Sequence, residues 1–367
     1  MDGAPPFPPN GPQSTPGRGA PSNHVPLRFG LSERVDDPDW LDERETIDGA
    51  RGRPRTTVTV DHARTIINRI TSPDIPLDQS INMYRGCEHG CIYCYARPSH
   101  ARYDLSPGLD FETHLFAKPD AAVLLRAELA RPSYVMRPIA IGTNTDPYQP
   151  IERDWRLTRQ IIELLSETGH PLFITTKSDR IVRDIDLLAD MARRRLVHVI
   201  LSVTTLDPAL ARKLEPRAPR PAKRLAAIAA LSAAGVPTQV NVAPIIPAIT
   251  DHEIEHIIAE AAAAGACRAG YTIIRLPHEV AALFREWLAV HFPDRASKVM
   301  AIIRDLRGGR DYDPRYFKRM HGGGIWGDLI RTRFNRARRI YGLGHRGYDI
   351  DLTAFVPPER GGQMRLL

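Results

Sequence analysis

The sequence predicts an α/β fold of parallel strands, and three observations predict it. Short apolar runs recur down the chain, helical patterns of roughly a dozen residues separate them, and polar residues gather just after the runs. The runs span 80–85, 138–142, 171–176, 196–203, 236–243 and 270–276. Several are almost continuously apolar, as strands covered on both faces by helices must be, where a half-exposed strand would alternate. Helical patterns lie between and after them at 119–130, 154–168, 181–193, 221–234, 251–264 and 279–291. Six βα units fit an open doubly wound sheet or a partly closed barrel, and the pattern alone leaves both open. The polar residues at the strand ends are Thr143, Asn144, Thr145 and Asp146, then Thr176, Lys177 and Ser178, Ser202 with Thr204, Asn241 and Arg275. Ligands of parallel α/β folds bind at this carboxyl edge, where loops converge and helix N-termini point.

The flanks read differently. Residues 1–26 hold eight prolines and four glycines, too little apolar matter to repay the entropy of ordering, and are expected to be a disordered tail. Residues 27–78 form a lead-in or cap, with an extended stretch at 56–60 and a short helical candidate at 62–70. The core is expected at 79–291 and a basic helical region at 292–367. Among 367 residues, 43% hydrophobic, no apolar run is long enough to span a membrane and no secretory signal opens the chain, so a cytoplasmic address is expected. The formal net charge is +7, and the stretch 304–346 alone carries twelve Arg or Lys against four Asp. That block is the one compositional hint of a polyanionic partner.

Three of the four cysteines fall within eight residues, as Cys87-Glu88-His89-Gly90-Cys91-Ile92-Tyr93-Cys94. Clustered thiols in a reducing compartment bind metal or do redox work rather than form a disulfide scaffold. Thiolates are soft ligands that select zinc or iron–sulfur clusters. A structural zinc would need a fourth ligand from His89, His100 or Cys267. A [4Fe–4S] cluster held by three cysteines leaves one iron open, as a catalytic cluster requires. A thiol redox pair with a bystander is the third alternative.

C-x3-C-x2-C with Tyr93 before its last cysteine resembles the signature of the radical S-adenosylmethionine (SAM) superfamily. The surrounding segments 82–97, 142–150 and 214–219 resemble its branch related to spore photoproduct lyase, and the likeness runs over roughly 80–344. The resemblance implies a partial (β/α)6 TIM-like barrel with an N-terminal extension and a basic C-terminal helical region. It implies a [4Fe–4S] cluster on Cys87, Cys91 and Cys94, with SAM on the fourth iron and a 5'-deoxyadenosyl radical that takes hydrogen from the substrate. Tyr93 would lie near adenine. The segment Gly142, Thr143, Asn144 and Thr145 would meet the methionine amino group, although it departs from the usual Gly-Gly-Glu form. Lys177 would stand near the carboxylate or the substrate, Ser202, Thr204 and Asn241 near ribose or carboxylate, and Ile274 or its neighbours against adenine. An external one-electron donor of flavodoxin or ferredoxin type is implied as partner.

The substrate is read less directly. Tyr95, Arg97 and Tyr148 are candidates for the barrel mouth, and Arg217 for the site's rim. Arg331, Arg333 and Arg336, interleaved with Phe334 and Tyr341, are candidates to grip DNA or RNA phosphates; the same stretch also reads as an amphipathic helix packed through Ile330, Phe334, Ile340 and Tyr341. A binding protein without turnover, carrying iron–sulfur or zinc, is the alternative to an enzyme. Cys267, before the last core strand, is expected to be a packed, unreactive thiol on the edge opposite the site.

Overall fold

The computed structural model describes residues 15–24, 54–344 and 348–359. Its main sheet contains β2 (Ile67–Arg69), β3 (Gln79–Ile81), β6 (Ile139–Ile141), β7 (Leu172–Thr176), β8 (Val197–Val203), β9 (Thr238–Ile245) and β10 (Arg268–Ile273), in the order β10-β9-β8-β7-β6-β3-β2. All pairs are parallel except β2 with β3. The six predicted strands thus lie side by side in chain order. A doubly wound sheet would reverse its order at a switch point; a singly wound succession is the arrangement of a barrel wall. A second sheet joins β1 (Thr57–Val60), β5 (His114–Ala117) and β4 (Tyr84–Arg85) in the order β1-β5-β4.

Helices follow the strands as the pattern requires: α1 (Ala121–Leu129), α2 (Leu157–Glu167), α3 (Ile185–Arg193), α4 (Pro208–Leu214), α5 (Pro221–Ala233), α6 (Ile254–Ala263) and α7 (Val280–His291). Each buries one stripe. On α2, Leu157, Thr158, Ile161, Ile162, Leu164 and Leu165 face the core while Arg159 and Glu163 pair on the outer side. Full burial of such an Ile or Leu is worth about 1.5–3 kcal/mol, which outweighs the modest helix propensity of the β-branched residues. Two further helices, α8 (Pro293–Leu306) and α9 (Gly324–Ile340), pack on each other, and α9 also packs on α6. Among the described residues no helix is long and apolar enough to cross a membrane.

Four expectations are corrected. The run 80–85 is two strands, because the chain leaves the main sheet after Ile81 and Tyr84–Arg85 pairs with β5; the Asn82 carbonyl accepts from Lys118 Nζ at the break. The helical candidate 62–70 contains strand β2, whose neighbour Ile66 is fully buried and donates its amide to Glu128. Β-branched residues in this stretch favour the strand. Residues 15–24, assigned by composition to a disordered tail, pack on the core: Ala20 is fully buried and Arg18 nearly so. The rest of the 1–26 tail and residues 27–53 of the 27–78 lead-in lie outside the described residues. On α9, Ile330 and Phe334 are buried as expected, whereas Ile340 and Tyr341 are exposed.

Candidate active site

The cysteine loop leaves the carboxyl side of β3 and is fixed from three directions. The Cys87 amide donates to the Phe111 carbonyl at 2.9 Å, the Ile92 amide to Leu214 at 3.1 Å, and the Glu88 amide to Gln149 Oε1 at 2.9 Å. Arg97 clamps it from behind. Its guanidinium donates to the carbonyls of Cys91, Gly90, Pro107 and Gly108 and to the Glu112 carboxylate, so all five N–H groups are used. Gly90, at φ +67°, has no room for a side chain, because a Cβ there would stand 2.6 Å from Glu112 Oε2.

Glu112 is the junction behind the loop. Its carboxylate also accepts the amides of Gly19 and Ala20, each at 2.9 Å, and its carbonyl accepts from Arg18 at 2.8 Å. The N-terminal segment therefore lies directly against the cysteine loop, and a Cβ on Gly19 would overlap the Gly90 carbonyl oxygen.

In front, the strand ends supply two anionic anchors. Asp146 accepts from the Thr176 hydroxyl at 2.6 Å, the Lys177 amide at 2.8 Å and the Tyr148 amide at 2.9 Å, and lies 3.4 Å from His89 Nδ1. Burial pushes this carboxyl up, but His89 and these hydrogen bonds outweigh it and hold it at about 2. Glu215 is buried and accepts from Tyr93, from Arg224 and, at 2.6 Å, from Thr204. Burial raises it too, and Arg224 with Lys177 brings it down to about 2. Lys177 Nζ stands 5.8 Å from the centre of the Tyr93 ring; burial lowers this ammonium, but the Cys91 sulfur and Glu215 overcome that and leave it raised.

All three clustered thiols are free, with Cys87 and Cys91 buried and Cys94 half-buried. Burial, then the charges of Asp146 and the neighbouring thiols, pushes Cys87 well above the ordinary thiol range. Burial likewise pushes Cys91 up to about 12, against the pull of Lys177. Burial therefore favours the protonated form of Cys87 and Cys91. Iron would replace the protons, and Lys177 would offset part of the thiolate charge. The donor set therefore fits an iron–sulfur cluster. Among the described residues no three Cys, His, Asp or Glu side chains form a group suited to a metal ion. A cluster gives each thiolate its own iron and needs no such convergence.

The other candidates fall into three groups. Tyr93, Gly142, Thr143, Asn144, Thr145, Lys177, Ser202, Thr204 and Ile274 lie at or just beyond the carboxyl ends of β6, β7, β8 and β10, or in the cysteine loop itself; Asn241, expected at a strand end, is instead inside β9, which runs on to Ile245, and pairs there with Ser202. Some of their polar groups are already engaged: the Thr143 carbonyl accepts from Tyr95, the Asn144 amide donates to Asn82, and Thr204 bonds Glu215 and the Ala243 carbonyl. Gly142, at φ +88°, is demanded by the backbone, since a Cβ there would overlap the Thr175 carbonyl. Tyr95 is exposed, with the Arg275 guanidinium 4.6 Å from its ring centre, and Arg217 pairs with Glu88 at 2.9 Å.

Two candidates are displaced from the mouth. Arg97 is fully buried with every donor occupied, and Tyr148 is fully buried, so neither offers a surface to a substrate. The arginines of α9 are partly occupied: Arg333 binds Glu255 through two nitrogens, at 2.8 and 2.6 Å, and Arg331 binds Asp328, while Arg336 is exposed. Cys267 is exposed, not packed, although it does precede β10 at the opposite edge from the cysteine loop. Sequence reasoning passed over Glu112, Gln149, Glu215 and Arg224. Gln149 and Glu215 carried a signal, through their places in the segments 142–150 and 214–219.

A family model described as the Radical SAM superfamily matches residues 81–261. An uncharacterized protein of Mycobacterium tuberculosis is 38% identical over 244 residues, covering 66% of this chain and 72% of that one. A second, from Methanocaldococcus jannaschii, is 31% identical over 183 residues, covering 49% of this chain and 64% of that one. Among solved structures, spore photoproduct lyase complexed with dinucleoside spore photoproduct is similar in fold, with a TM-score of 0.55 at 16% identity over 83% of this chain and 92% of that one. The chain belongs to the radical SAM superfamily. It is an enzyme, of a family that uses a [4Fe–4S] cluster and SAM and draws on an external electron donor.

Proposed function

We propose that this enzyme holds its cluster on Cys87, Cys91 and Cys94, cleaves SAM reductively, and takes hydrogen from a substrate that bears a nucleobase. The observation that carries the reading is three free thiols on one clamped loop at the carboxyl edge of a singly wound parallel sheet. When bound, the cluster and SAM together supply a 5'-deoxyadenosyl radical, the chemistry no side chain can provide. The protein's own work is orientation and exclusion of water. Arg97 and Glu112 fix the loop from behind. Asp146 ties it to the end of β7, and Lys177 supplies positive charge beside Cys91. Glu215 orients the Tyr93 hydroxyl and Thr204. Gly142, Thr143, Asn144 and Thr145, with Ser202, Asn241 and Ile274, line the edge where SAM would lie, and residues 79–291 form the catalytic unit.

The nucleobase reading rests on Tyr95, which is exposed next to Cys94 and carries Arg275 against its ring. An aromatic face with a guanidinium beside it suits stacking of a planar base. The α9 arginines lend it less support, since two of the three are paired.

Anaerobic reconstitution tests the reading. Wild type is expected to take up iron and sulfide and to form 5'-deoxyadenosine with dithionite; alanine at Cys87, Cys91 or Cys94 abolishes this. Tyr95→Ala is expected to keep 5'-deoxyadenosine formation while losing product on an oligonucleotide. Colourless, zinc-loaded protein without SAM cleavage would refute the cluster assignment.

A further inference from the structure

A cavity of about 540 Å³ opens beside the cysteine loop. His89, only 2% exposed, is part of its lining, and Arg180, Arg217, Arg220 and Lys223 surround it. A second cleft of about 400 Å³ shares Arg180 and adds Arg153, Arg156 and Arg183. These cations come from the segments beyond β6, β7 and α4 and from the start of α5, and none is a residue assigned to SAM.

The basic wall is bonded to the loop itself. The Arg217 amide donates to the His89 carbonyl at 3.2 Å, and its guanidinium reaches Glu88 at 2.9 Å, so the wall is fastened between Cys87 and Cys91. Arg153 is paired with Asp154, and Lys223 lies 3.8 Å from Asp179. Arg156, Arg180 and Arg220 are exposed and form no ion pair among the described residues. Arg183 is paired with Glu152 and Asp184, so three of the seven cations are left uncompensated and give this face a net positive field. No exposed aromatic lines either cleft, as Tyr148 is fully buried. A surface without a stacking platform suits single-stranded nucleic acid poorly, whereas a small charged face suits a transient redox encounter.

We infer that this face docks an acidic one-electron donor protein of flavodoxin or ferredoxin type over the cysteine loop. The inference rests on the cluster assignment proposed above. One electron leaves the donor's reduced flavin or iron–sulfur centre, which is oxidised by one electron, and enters the cluster, which is reduced by one; no bond forms or breaks in that transfer. Electron transfer through protein falls steeply with distance, so a donor gains by docking on a wall fastened to the ligand loop. Opposite charges steer the encounter and make it sensitive to salt.

The test compares two reductants on reconstituted full-length protein. Dithionite needs no docking surface; a reduced bacterial flavodoxin does. In the double variant R180E/R220E, SAM cleavage driven by dithionite is expected to stay within about twofold of wild type, while the KM for flavodoxin rises about tenfold or more. The variant R180Q/R220Q should fall between the two. Fluorescence anisotropy of labelled flavodoxin with unreconstituted protein should show affinity that drops with salt in wild type and little binding in R180E/R220E. Unchanged flavodoxin KM and affinity in R180E/R220E would overturn the proposal. So would wild type that accepts electrons from dithionite but from neither flavodoxin nor ferredoxin, or a variant that loses only oligonucleotide binding. Wild type that cleaves no SAM even with dithionite would count instead against the cluster assignment.

Discussion

The Arg97 guanidinium and the Glu112 carboxylate lie 2.5 Å apart, and neither side chain reaches solvent. This pair joins residues 18–20 on one side to the backbone of the cysteine loop on the other. Removing one partner of such a pair leaves a buried charge uncompensated, at a typical cost of about 3–5 kcal/mol. Arg97→Ala should lower the stability of the metal-free protein by that order in a urea titration and reduce its iron uptake. Glu112→Gln, which keeps shape and some hydrogen bonds, should cost about 1–3 kcal/mol. A wild-type urea midpoint in both variants would show that the clamp is dispensable.

Gly142 allows β6 to pass within contact of β7. Alanine there would combine a φ of +88° with a Cβ 1.9 Å from the Thr175 carbonyl oxygen, so the backbone must move. Gly142→Ala is expected to destabilise by at least about 2 kcal/mol and to weaken SAM binding through the shifted Thr143 and Asn144. Isothermal titration with SAM on the reconstituted variant checks this, and an unaltered Kd would remove the segment from the binding edge.

Stability should fall as solutions are acidified from about pH 6.5 towards pH 4. Burial pulls His100, His170 and His198 down to about 4, so each is neutral in the folded protein while its unfolded counterpart titrates near the ordinary value of about 6.5. The unfolded chain then binds more protons across that window, and stability is lost as pH drops through it. Three such groups give a slope approaching about 4 kcal/mol per pH unit. His198 contributes through an Nε2 with no hydrogen-bond partner, so His198→Phe should remove about a third of the slope. Urea titrations that give the same stability at pH 7 and pH 5 would contradict this.

Cys267 is exposed at the amino end of β10, where its thiol donates to the Thr238 carbonyl at 3.3 Å. Alkylation of the reconstituted, oxygen-protected protein should label it first, with Cys267→Ala retaining turnover. Mass spectrometry of the labelled peptides reads the outcome; loss of turnover with the cluster intact would give this thiol a role across the sheet.

What could be read from the sequence was local. The helical stripe of α2 and the apolar runs of β6 to β9 declare themselves by period and composition, and the three cysteines by spacing. Non-local features were not legible. Arg97 sits three residues beyond Cys94 and reads as a mouth residue, yet its partner Glu112 and the carbonyls it binds are gathered only by the fold. Gly19 and Ala20 lie in a proline- and glycine-rich stretch whose composition implies disorder, but a single buried carboxylate captures their backbone amides. The 62–70 stretch was misread because a three-residue strand has too few positions for either period to show.

The most direct test of the central claim is electron paramagnetic resonance of the reduced, reconstituted protein before and after SAM is added. If Cys87, Cys91 and Cys94 leave one iron open, SAM should shift the g values of the reduced [4Fe–4S] signal. A signal that SAM leaves unchanged would contradict an open iron at this site.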